Sequence, residues 1–108
     1  MNMGLFDFIR PSDINEGIKE YQSTPNAVLI DVRRSDEYNT GHIEGSINVP
    51  LADIGLVEEK VPDLETPVFI YCLSGARSSS AAAMLKGMGY TNAKSIGGIN
   101  SFKGALVK

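Results

Sequence analysis

Cys72 is the only cysteine of the 108-residue chain, and four residues separate it from Arg77. Between them, the small residues Ser74, Gly75 and Ala76 let backbone amides turn inward around a common point, which makes a nest for an anion. A helix that begins in this loop adds the positive end of its dipole. Arg77 brings a permanent charge and several donors. A thiol in such a field is acidified, because the groups that hold an anion also stabilise the thiolate. The pattern suits a cysteine that forms a covalent, anionic adduct. Ser78 either donates to that thiolate or caps the helix.

Two chemistries use a cradle of this kind. In cysteine phosphatases, and in arsenate reduction on a related scaffold, the loop surrounds a tetrahedral centre, with one more residue between Cys and Arg and often a His before the Cys. Here the loop is shorter and Tyr71 precedes Cys72. A smaller ring of amides fits a smaller adduct, such as one sulfur atom on Cys72.

The elements that must hold this loop can be read on either side of it. Val68, Phe69, Ile70 and Tyr71 form an apolar run, the mark of a strand covered on both faces. After the loop, Ala81, Met84, Leu85 and Met88 fall at i, i+3, i+4 and i+7, predicting a helix with that face on the sheet, Met84 and Met88 in the core, and Gly87 and Gly89 closing it. Residues 27–30 are a second covered strand, with Asp31 at its carboxyl end, where the ligand crevice of an open α/β sheet lies.

Ser12 is expected to cap a first helix that buries Ile14, Ile18 and Tyr21. Ser35 is expected to cap a short one carrying Asp36 and Glu37, ended by a left-handed Gly41. Residues 46–49 read as a short strand, and residues 51–60 as a weak helix with Leu51, Ile54 and Val57 inward. Residues 92–96 read as a last strand, Gly97 and Gly98 as a tight turn, and residues 99–107 as a short helix or coil. Alternating strands and helices predict a mainly parallel sheet with helices on both faces.

The composition, 43% hydrophobic and 21% charged, is that of an ordinary globular domain. The length accommodates one domain, residues 1–108, in which residues 1–10 are an N-terminal extension or a first short strand. A net charge of -3 argues against a general nucleic-acid binder, and Arg33 with Arg34 is too small a basic patch. The first residues lack a basic region and contain Asp7, so they do not read as a signal peptide, and no apolar run suggests a membrane span. A cytoplasmic protein is expected.

Taken together, three stretches resemble the rhodanese-type sulfurtransferases. Cys72 to Arg77, followed by Ser78, is similar to the six-residue active loop of that family. Asp31-Val32-Arg33, Glu37-Tyr38 and the run from Gly41-His42-Ile43 to Pro50 resemble its upstream signature, and Gly97-Gly98 with Phe102 its C-terminal one. The resemblance implies a stand-alone domain with a five-stranded, mostly parallel sheet flanked by helices. By position, Cys72 would take sulfur from thiosulfate or a low-molecular-weight persulfide and pass it to a thiol acceptor, a protein acceptor included, or to cyanide in an assay. Leu73, Ser74, Gly75, Ala76, Arg77 and Ser78 would bind the donor, Arg77 orienting its charge. Asp31 and Arg33 would support the loop as an ion pair from behind. His42 reads as part of a structural turn, since a thiolate activated by amides needs no base. No metal or organic cofactor is implied. A docking or sulfur-relay module would use the same loop.

Overall fold

The computed structural model describes residues 13–108. Ser12 and the segment 1–10 therefore lie outside the described residues. Asp13 is the cap of the first helix, α1 (Ile14–Gln22), its side chain accepting from the Asn15 amide. Strand β1 (Val28–Asp31) follows, then α2 (Ser35–Thr40), whose cap position is Arg34 and not Ser35. Gly41 ends α2 at φ 154° and ψ 135°, outside the left-handed helical well that was expected. Strand β2 (Ile47–Asn48) leads to a 3-10 segment (Leu51–Leu56), kinked at Asp53, and a single turn of α-helix, α3 (Val57–Lys60). Strand β3 (Val68–Cys72), helix α4 (Ala76–Gly87), strand β4 (Ala93–Gly98) and a 3-10 turn (Ile99–Ser101) complete the order.

Among the described residues the sheet has four strands, in the order β2-β1-β3-β4, all parallel. Residues 1–10, the candidate for a fifth strand, lie outside the described residues. Helices cover both faces, as alternation requires. Val68, Ile70 and Cys72 point to the side closed by α3 and α4, with Ile30, Val57, Ala81 and Leu85. Phe69 and Tyr71 point to the other side, with Ile14 and Ile18 of α1. All five residues of β3 are buried, so each side chain of the strand that carries Cys72 is packed whichever face it takes.

Helix α4 is rotated from the face that periodicity picked out. Its buried residues are Ser78, Ala81, Ala82 and Leu85, Met84 is 48% exposed, and Met88 only edges onto the core. Three small side chains let α4 approach the sheet closely, and that approach decides the face over residue hydrophobicity. Gly97 and Gly98 also differ from expectation, since they stay within β4 and form no turn. A side chain at Gly98 would place its Cβ 2.3 Å from the Leu73 carbonyl and 2.6 Å from Ser74 Cα. Glycine is what allows β4 to pass directly under the loop.

Candidate active site

The carboxyl ends of β1 and β3 are neighbours, with Asp31 in register with Tyr71. The chain that leaves β1 and the chain that leaves β3 therefore emerge side by side. The second of these is the Cys72 loop. Gly75, at φ 109°, makes the reversal that no side chain tolerates well and starts α4. Helix α4 then begins at Ala76 with its first amides turned back on the strand end.

Those amides converge on the sulfur. The Gly75 and Ser78 amides donate to Cys72 Sγ at 3.0 and 3.3 Å. The thiol in turn meets Ser78 Oγ at 3.5 Å. Burial pushes the Cys72 thiol up, but the Ser78 hydroxyl and the amides of Ser78, Gly75 and Arg77 outweigh it, leaving the thiol below its ordinary value. Cys72 and Ser78 are both fully buried, whereas the Leu73 side chain is 44% exposed. Ser74, Gly75 and Ala76, with Ser79, Ser95 and Ser101, border an open pocket of about 470 Å³. A slightly larger hollow of about 510 Å³, bordered by Thr24, Pro67 and Asn92, lies at the amino ends of the strands, away from the sulfur.

Arg77 is bound, and its partner went unnoticed in the sequence. Its guanidinium makes two parallel bonds to Glu37 of α2, at 2.8 and 3.1 Å. Glu37 Oε1 also accepts from the Arg34 amide at 2.9 Å. The Arg77 bond, the Arg34 amide and the two positive charges, working against the cost of burial, draw the Glu37 carboxyl down to about 2. The clue available was topological: a carboxylate early in the helix after β1 must face the loop after a neighbouring β3.

Asp31 and Arg33 form a second pair, more deeply buried than the first. Arg33 Nε and Nη2 reach Asp31 at 3.0 and 2.7 Å, the Arg33 amide donates to Asp31 Oδ1 at 2.8 Å, and Nη2 also donates to the Gly41 carbonyl at 2.7 Å. The guanidinium lies 5.9 Å from the centre of the Tyr71 ring. Tyr71 Oη accepts from the Ile43 amide and contacts Ser46 Oγ, fastening the 41–46 turn to β3. His42 stacks on Tyr38 with ring centres 3.7 Å apart, and its backbone pairs with Val107. The ring places no nitrogen among the groups that hold the sulfur.

No helix of the described residues is long and apolar enough to cross a membrane. The sequence profile of the Rhodanese-like domain family matches residues 15–105. The thiosulfate sulfurtransferase PspE of Escherichia coli is 36% identical over 80 residues, covering 73% of this chain and 77% of that protein. A putative mitochondrial thiosulfate sulfurtransferase of Schizosaccharomyces pombe is 35% identical over 106 residues, covering 84% and 70%. Among solved structures, a rhodanese with anions from E. coli superposes with a TM-score of 0.71 at 35% identity, covering 76% of this chain and 98% of that one.

Proposed function

The chain belongs to the rhodanese-like domain family, and on that premise we propose that it is a sulfurtransferase working through a persulfide on Cys72. The observation that carries this reading is the convergence of two amides and a hydroxyl on one buried sulfur. Such a ring stabilises a thiolate before the reaction and a persulfide anion after it.

In the first half-reaction the Cys72 thiolate attacks the outer sulfur of thiosulfate or of a small organic persulfide. The sulfur-sulfur bond of the donor breaks, and sulfite or the donor thiolate leaves with the electron pair. In the second, an acceptor thiolate attacks the outer sulfur on Cys72, and the Cys72 thiolate leaves. Loading and unloading are separate, so the kinetics are ping-pong. Amides from Leu73 to Ser78 hold the transferred sulfur, and Arg77 presents a cation to an anionic donor. The exposed Leu73 side chain favours an acceptor with apolar surface next to its thiol, a small organic thiol or a protein.

Intact mass after incubation with thiosulfate and, separately, with glutathione persulfide tests the reading. The expected result is the gain of one sulfur, removed by reductant and absent in Cys72→Ser. Folded protein that gains no sulfur from either donor overturns it. Phosphatase activity lost in Cys72→Ser would favour the phosphoryl-transfer alternative.

A further inference from the structure

Ser78 Oγ carries one proton and has four polar neighbours. They are Cys72 Sγ at 3.5 Å, the Gly75 carbonyl at 3.0 Å, the Gly97 carbonyl at 3.4 Å and Ser95 Oγ at 2.7 Å. While Cys72 is a thiol, its S–H can donate to Ser78, and the Ser78 proton is free to point elsewhere. Once Cys72 is a thiolate, the Ser78 hydroxyl stabilises it only by turning that one proton onto the sulfur. Two carbonyls compete for the same proton. The side chain within reach that can donate to Ser78 Oγ is Ser95, and its contact is the shortest of the four.

We infer that Ser95 is a positioning residue for the Cys72 sulfur, its hydroxyl donating to Ser78 Oγ and so turning the Ser78 proton onto the thiolate. The pair of hydroxyls reverses direction when the thiol ionises. Ser95 is also half-buried and borders the polar pocket with Ser79 and Ser101. Ionisation can therefore run along the chain. The thiol proton passes to Ser78 Oγ, the former Ser78 proton passes to Ser95 Oγ, and the former Ser95 proton goes to water in the pocket. Each hydroxyl ends with one proton, now directed toward the sulfur, and one proton has left. Hydrogen bonds in such a chain strengthen one another.

Other charges do not take over this role. From α4, Arg77 is the charged group that senses the sulfur, and from α2 Glu37 is clamped to it. From β4, Ser95, Gly97 and Gly98 approach and are uncharged. From β1, Asp31 is committed to Arg33. Glu37, at about 2, and the two arginines, raised by their carboxylate partners, keep their charges from pH 5 to pH 10.

The catalytic meaning of Ser95 rests on the persulfide reading, but its test needs no sulfur donor. The rate of Cys72 alkylation by iodoacetamide against pH gives the thiol midpoint in the full chain. Ser95→Ala should raise that midpoint by about half a unit to one unit, the size of one neutral hydrogen bond. Ser95→Thr, which keeps the hydroxyl, should stay near wild type, and Ser95→Val, its hydroxyl-free isostere, should follow Ser95→Ala. If the alanine variant does not fold, the threonine and valine variants make the same comparison. An unchanged midpoint without the hydroxyl, or a threonine variant shifted as far as the hydroxyl-free ones, overturns the inference. A protein that shows the expected midpoints but never gains sulfur fails the sulfurtransferase reading alone.

Discussion

A deeply buried arginine-carboxylate pair and a shallower one, called lower and upper for their depth, follow the carboxyl ends of β1 and β3, and they differ in what surrounds them. Asp31 and Arg33 have side chains 0% and 6% exposed, and Glu37 and Arg77 have 20% and 33%. The lower pair also holds the Arg33 amide and the Gly41 carbonyl, so it fixes backbone on both sides of α2. The upper pair joins two side chains at the mouth of the loop. A buried pair that is fully hydrogen-bonded orders structure and cannot let go without stranding a charge. A pair at the rim keeps access to water and can exchange a partner for a bound anion. Similar chemistry thus serves as foundation in one place and as an adjustable rim in the other.

The comparison is broken most forcefully from below. Asp31→Ala leaves Arg33 buried without its counter-charge, which is expected to cost about 3–5 kcal/mol. Urea unfolding should show that loss, and Asp31→Ala combined with Arg33→Met should recover much of it, since no charge is then stranded. A single variant that loses less than about 1 kcal/mol would show that the lower pair is no foundation.

From above the expected effect is on catalysis more than on stability. Glu37 pairs with Arg77 and, in the proposed reaction, would set a negative charge beside the cation offered to an anionic donor. Glu37→Gln removes that charge and leaves Arg77 free to turn to the donor. Solvent reaches this rim, so one charge removed from it is worth about 1 kcal/mol, or about 5-fold. The KM for thiosulfate should fall by about that factor at low salt, and the gain should shrink as salt rises. A KM that rises instead would mean that Glu37 serves to hold Arg77 in place.

The two pairs also mark where reading the chain succeeds and where it stops. Asp31 and Arg33 are two residues apart at the end of an apolar strand, so their pairing is local and was expected. The Cys72 loop is local too, as are the apolar runs that became β1 and β3. Glu37 and Arg77 are 40 residues apart, and only the parallel neighbourhood of β1 and β3 brings them together. Ser95 is hidden for a similar reason: it reads as one polar residue in a strand until α4 is packed against β4 and brings Ser78 to it. Met84 shows the remaining failure, because helical periodicity scored it as apolar while the narrow Ser78, Ala81 and Ala82 face controlled how α4 packs. The fifth strand expected from the family resemblance is not among the described residues.

The smallest effect is the acid limb of stability, and it sharpens the comparison because it isolates the rim pair. The Glu37 carboxyl falls from 4.5 to about 2, chiefly through Arg77. A group lowered on folding contributes stability that is complete above its unfolded value and is lost as pH falls through its folded value. The Glu37 contribution should therefore be whole above about pH 4.5 and fade toward pH 2. Solvent reaches both partners, so screening holds it to about 1 kcal/mol and not the larger figure the full shift would suggest. The stability of wild type minus that of Glu37→Gln should be about 1 kcal/mol at pH 6 and close to zero near pH 2. A difference that does not narrow over that interval would mean that the rim pair contributes through packing, and that its charge matters only to the donor.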